Sequence, residues 1–123
     1  MTARHLRHGR IAERLAWCRL RAAGLECVQR NFRCRFGELD LIMNDGEILC
    51  FVEVRYRRRG DFGSAAESVS THKRRRLIAA ARHFLGHHAP YQMYPCRFDV
   101  VAVSGRLRPR IEWLTNAFTL DDA

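Results

Sequence analysis

Residues 37–55 read Gly37-Glu38-Leu39-Asp40-Leu41-Ile42-Met43-Asn44-Asp45-Gly46-Glu47-Ile48-Leu49-Cys50-Phe51-Val52-Glu53-Val54-Arg55, two apolar-rich runs around an Asp-Gly pair. Asp-Gly between such runs is a strong hairpin signal, and it predicts strands over 39–43 and 48–55. With Asp45-Gly46 at the tip, Met43 opposes Ile48, Asp40 opposes Phe51 and Glu38 opposes Glu53. Side chains alternate between faces, and directly opposed residues share a face. One face therefore carries Leu39, Leu41, Met43, Cys50, Val52 and Val54. The other carries Glu38, Asp40, Glu53 and Arg55 among Ile42, Leu49 and Phe51. Asp40 and Glu53 become diagonal neighbours, with Cβ atoms roughly 7 Å apart or less. Two carboxylates at that reach repel unless something positive lies between them. Mg²⁺ prefers one or two carboxylates and keeps its waters for a phosphate substrate, which suits phosphodiester hydrolysis. The plainer alternative is a solvated face whose acids pair with arginines. A bulged three-residue loop would shift the register.

The rest of the chain reads as helix, strand, this hairpin, helix, and one or two strands. Residues 3–23 form a helix ended by Gly24, with Ile11, Leu15, Cys18 and Ala22 as its apolar stripe, widened by Ala12, Ala16 and Leu20. Glu13 falls on the border of that stripe. Residues 26–36 form a strand, and 56–69 a long polar loop. Ser70 or Thr71 caps a helix through Leu85. Strands follow over 97–104 and, briefly, 111–114. This order predicts an α/β (α+β) sandwich around a small mixed β-sheet. The 123 residues suffice for one domain, 1–123, with 116–123 as a loosely held tail.

Charge and cysteine usage bound the function. The chain has 22 basic against 13 acidic residues and a formal charge of +9. All the basic residues are arginine except Lys73. Such an excess favours a polyanionic partner, nucleic acid before an anionic membrane surface. No apolar run is long enough to span a bilayer, and arginines interrupt the N-terminal segment, so neither a membrane protein nor a signal peptide is expected. Five cysteines, an odd number with no Cys-x-x-Cys spacing, point to reduced thiols, a cytoplasmic setting and no zinc site. Arg55, Arg57, Arg58 and Arg59, then Lys73, Arg74, Arg75 and Arg76, flank the 56–69 loop as two basic clusters, with Tyr56 and Phe62 interleaved. Arginine forks suit bidentate phosphate contact, which gives affinity without sequence readout. No helix-turn-helix, zinc finger or RNA-recognition signature is visible, and no organic cofactor is called for.

Gly37-Glu38-Leu39-Asp40-Leu41-Ile42 and Phe51-Val52-Glu53-Val54-Arg55-Tyr56-Arg57 resemble the signature of the YraN family of predicted endonucleases. So do Arg30-Asn31, Phe62-Gly63, Lys73, Arg97-Phe98-Asp99-Val100-Val101 and Ala117-Phe118, so the resemblance runs most of the chain. That family is a branch of the PD-(D/E)xK restriction-endonuclease-like superfamily, similar to archaeal Holliday-junction resolvases. The resemblance implies a three-layer sandwich with the sheet flanked by helices. It also implies a Mg²⁺- or Mn²⁺-dependent endonuclease acting on DNA, favoured over RNA, with branched or structured DNA among its expected substrates. Asp40 and Glu53 match the superfamily's metal-binding acids, and Glu13 matches an acid sent in from the first helix. For Glu13 the alternative is an exposed acid paired with Arg10. Glu38 is an additional candidate ligand. Asp99 is expected to pair with Arg97 or tie down a loop rather than bind metal. The pattern ordinarily ends in lysine where this chain has Arg55, which can stabilise charge but cannot act as a base. That departure keeps a non-catalytic nucleic-acid-binding module open as the second reading. Lys73 either supplies the missing lysine, as in relatives where it migrates to a neighbouring helix, or makes a phosphate contact at its helix start, the favoured reading. Resolvase relatives act as dimers, which makes a homodimer one implied state.

Overall fold

A computed structural model describes residues 3–57, 65, 67–105 and 107–122, with side chains from Gly9 onward. Helix α1 (Ala3–Ala22) is followed by β1 (Glu26–Cys34), β2 (Gly37–Asp45) and β3 (Ile48–Arg57), then α2 (Thr71–Gly86), β4 (Cys96–Ser104) and β5 (Arg110–Phe118). The strands form one sheet in sequence order. All neighbours are antiparallel except β3 and β4, which run parallel. That parallel pair requires a crossover, and α2 supplies it. Ser70 caps α2, its hydroxyl accepting from the Lys73 N–H at 3.1 Å. No helix among the described residues is long and apolar enough to cross a membrane.

Both sheet faces are covered, which makes a three-layer α/β/α sandwich. On one side Leu77, Ile78, Ala81 and Phe84 of α2 pack on Ile42, Leu49, Phe51, Phe98 and Phe118. On the other, Ala12, Ala16 and Leu20 of α1 pack on Leu41, Met43, Cys50, Val52, Val101 and Val103. The face of the hairpin that carries Glu53 is thus a core face too, with the charged residues at the end beside the start of α2.

Four expectations are corrected. The buried face of α1 is Ala12, Ala16 and Leu20, while Ile11 is 50% exposed and Cys18 is exposed. The helix is turned by about a third of a turn from its most apolar stripe. Alanines at the contact let its backbone approach the sheet closely, and that close packing outweighs the hydropathy of Ile11. Leu39 packs in the α2-side core with Ile42, not with Leu41 and Met43, so strict alternation fails around Asp40. The hairpin turn is Gly46-Glu47 rather than Asp45-Gly46, because Asp45 pairs with Ile48. Gly46 has φ of 65°, the left-handed value that the first central position of a type II′ turn demands. Finally, the last strand runs to Phe118, which is 3% exposed and stacks on Phe98 with ring centroids 4.6 Å apart. Residues 116–118 therefore belong to the sheet rather than to a tail.

Candidate active site

The Gly46-Glu47 turn sets the distance between the two acids. Met43 meets Cys50 and Leu41 meets Val52, and the next pair in that register is Asp40 with Glu53. The hairpin is displaced by two residues from the expected register. An even displacement leaves each β3 side chain on its face and brings Asp40 nearer to Glu53, one residue beyond the last pair, Leu41 with Val52. The ladder stops here because Asp40 Oδ2 accepts the Val54 N–H at 2.9 Å.

Glu13 reaches this point from α1, and its carboxyl is in hydrogen-bonding contact with that of Asp40. The turn of α1 that buries Ala12 and Ala16 is what carries Glu13 inward, so it is half-buried rather than an exposed partner of Arg10. Glu38 lies across from Arg33 and pairs with it at 3.4 Å, at the margin of the cluster. Burial, then the charge of Glu53, push the Asp40 carboxyl up to about 8, against the pull of the Val54 hydrogen bond. Burial also raises Glu13, while its bond to Asp40 lowers it. Glu53 is raised by burial and lowered by Lys73 and then Arg55.

Lys73 Nζ stands 3.8 Å and Arg55 Nη1 3.9 Å from Glu53 Oε1. The structure thus brings Lys73 into the site, from the first turn of the crossover helix. The other Glu53 oxygen, Oε2, is buried and has no hydrogen-bond partner among the described residues. Asp99, the second buried acid, is the contrast. It is fully buried and accepts from Arg97 Nε, Trp113 Nε1 and the Asn116 N–H, each at 3.0 Å. Arg97 also pairs with Asp45 at 3.0 Å. Asp99 is a structural tie, as its pairing with Arg97 suggested; Glu53 is left open.

An open buried carboxylate oxygen across from a second carboxylate fits a divalent cation, which would relieve the repulsion that raises Asp40. Asp40 and Glu53 would hold it, with Glu13 behind Asp40. Among the described residues no group of three or more His, Cys, Asp or Glu side chains is gathered to hold an ion. Carboxylate oxygens are the hard donors that Mg²⁺ or Mn²⁺ would take, with water and phosphate in the remaining positions.

The second basic cluster fans out on folding. Successive residues of a helix point about 100° apart, so Lys73–Arg76 fan out. Lys73 turns to Glu53, Arg74 donates to the Val69 carbonyl and lies over Phe118, Arg76 donates to the Phe36 carbonyl, and Arg75 is exposed. Arg57 ends β3, while Arg58, Arg59, Phe62 and Gly63 lie outside the described residues. Arg10, which the sequence offered as a partner of Glu13, acts on the Glu13 carboxyl from α1, and Arg30, whose role sequence reasoning missed, acts on it from β1. The signal for Arg10 was its three-residue spacing from Glu13; Arg30 is placed only by pairing with Leu41.

The chain matches the model of the uncharacterised protein family UPF0102 over residues 12–103. It is similar to the UPF0102 protein of Nitrosococcus oceani, 50% identical over 120 residues that cover 97% of each chain. It is 48% identical over 122 residues to the UPF0102 protein of Xanthomonas campestris, covering 99% of each. The UPF0102 protein of Pseudomonas aeruginosa is 50% identical over 113 residues, covering 89% of this chain and 90% of that one. The matched span includes Glu13, Asp40, Glu53, Arg55 and Lys73, and the chain belongs to the UPF0102 family, the YraN family that its hairpin motifs resemble.

Proposed function

We propose that this protein is a metal-dependent endonuclease that hydrolyses phosphodiester bonds in DNA, branched or structured DNA included, within the cytoplasm. The observation that carries this reading is Glu53, whose buried Oε2 has no partner among the described residues, while its charge acts on Asp40 and Lys73 and Arg55 flank it. A purely structural acid is satisfied as Asp99 is. When bound, Mg²⁺ or Mn²⁺ supplies an activated water and charge neutralisation at the phosphate. Asp40 and Glu53 hold the ion, and Glu13 holds the Asp40 carboxyl in place. Arg55 remains protonated and stabilises charge developing on the phosphate oxygens. Lys73 answers the absence of lysine at position 55: its ammonium occupies the same neighbourhood from α2 and can orient the attacking water.

Supercoiled, branched, single-stranded and linear duplex DNA, each incubated with Mg²⁺, Mn²⁺ or chelator, test the proposal. Cleavage should require metal and vanish in Asp40→Ala. Cleavage that survives that substitution overturns the assignment. The specific observation favouring a binding module instead is that Lys73 and Arg55 already neutralise Glu53 Oε1. Salt-sensitive DNA binding without turnover under either metal, unchanged by Arg55→Lys, would select that reading.

A further inference from the structure

Trp17 lies on α1 one turn after Glu13, and two arginines from different elements converge on its indole. Arg21 of α1 and Arg30 of β1 each hold the guanidinium carbon 5.1 Å from the ring centroid. Arg30 turns this way because it pairs with Leu41, whose side chain is in the α1-side core. Asn31 follows with φ of 54°, an unusual backbone value for a residue with a side chain and a local break in the regular strand. Arg21 and Arg30 are exposed and take part in no ion pair among the described residues. The Trp17 Nε1 is buried without a hydrogen-bond partner among the described residues.

A guanidinium over an aromatic face keeps its N–H fork available for a second partner, and the stacking restrains it before that partner arrives. Exposed forks with no carboxylate bound to them match the bidentate geometry of phosphate. Their position adds direction. Arg30 and Arg10 act on Glu13 from the α1 side, and Glu13 touches Asp40. Lys73 and Arg55 stand against Glu53 on the other side of the same acids. The acids thus lie between cations on the α1 side of the sheet and cations on its α2 side.

We infer that Trp17, Arg21 and Arg30 form a phosphodiester-binding platform that holds the DNA backbone on the α1 side of the acid cluster. This rests on the nuclease reading: one strand runs from the platform, across the acids, to Arg55 and Lys73.

Fluorescence anisotropy with fluorescein-labelled duplex DNA, single-stranded DNA and RNA, in chelator so that nothing is cut, tests it. Each phosphate contact contributes a slope of about −0.9 in log affinity against log salt for duplex DNA. The double variant Arg21→Gln/Arg30→Gln should weaken duplex binding by about tenfold or more at low salt and make the slope shallower by about 1.8. Trp17→Leu keeps both charges, so it should weaken binding several-fold with the slope almost unchanged. Circular dichroism and thermal unfolding establish that each variant is folded, and the arginine pair, being exposed, keeps the test intact if Trp17→Leu does not fold. A folded double variant that binds like the wild type, with the same slope, overturns the platform alone. Wild-type protein that binds none of the probes at low salt overturns the nuclease reading with it. Weakening confined to RNA overturns the assignment to DNA.

Discussion

Replacement of Asp40 by Asn removes one ionisable proton from the centre of the site and little else. Asn is nearly isosteric, its amide oxygen can still accept the Val54 N–H, and its amide nitrogen can donate to Glu13. In the unfolded chain the Asp40 carboxyl titrates at 3.8; in the folded, metal-free protein burial and the charge of Glu53 move it to about 8. The folded state therefore holds this proton more tightly than the unfolded state. The stability it contributes is complete below about pH 4, is lost as pH rises toward about 8, and stays lost above that value. A shift of about four pH units at about 1.4 kcal/mol per unit sets a ceiling of about 6 kcal/mol. Asp40 is only half-buried to solvent, and water reaching it screens part of this, so about 3 kcal/mol is expected. Urea unfolding followed by tryptophan fluorescence, in chelator, measures it directly. Asp40→Asn should match the wild type near pH 4 and exceed it by about 3 kcal/mol at pH 9. Added Mg²⁺ should restore the wild type at pH 9 and leave Asp40→Asn unchanged, because the ion replaces the proton only where a carboxylate remains. A stability difference that is the same at both pH values refutes the reasoning.

Two further substitutions separate the structural acids and rings from the site. Asp99→Ala should destabilise the domain by about 3–5 kcal/mol in chemical denaturation, because it removes one of the two carboxylates paired with the Arg97 guanidinium, 17% exposed, and orphans Trp113 Nε1. Phe118→Ala should cost about 3–5 kcal/mol by emptying a site stacked on Phe98, and limited proteolysis should then release the C-terminal segment that the wild type protects.

The composition and local pattern of the chain carried the layered fold a long way. Asp-Gly marked the hairpin, Ser70 marked the start of α2, and Gly24 the end of α1, because turns and caps are short-range chemistry. The register was less legible. Asp45-Gly46 and Gly46-Glu47 are both two-residue turns, and only the left-handed φ of Gly46 at the first central position selects the second. That choice moves Asp40 from beside Phe51 to beside Glu53. The face of α1 was misread because hydropathy favours Ile11 and Cys18, whereas close approach to the sheet favours Ala12 and Ala16. The length of β5 was hidden for a non-local reason. Asn116, at φ of 54°, interrupts the regular strand, and its N–H is satisfied by Asp99 from β4.

By itself the sequence determined the order of elements, the excess of arginine over acid and the family to which the chain is similar. It also marked Asp40 and Glu53 as neighbouring acids on the mixed face of a hairpin. Only the tertiary structure decided which acids are satisfied. Asp99 and Glu53 are both strand carboxylates with an arginine two residues away, and that arginine alone does not reveal how many further partners each acid finds. Trp113, Asn116 and Arg97 close around the first, while the second keeps a buried oxygen free beside Lys73 and Arg55. A carboxylate's partners arrive from elements far away in the chain, so its satisfaction is a property of the packed fold.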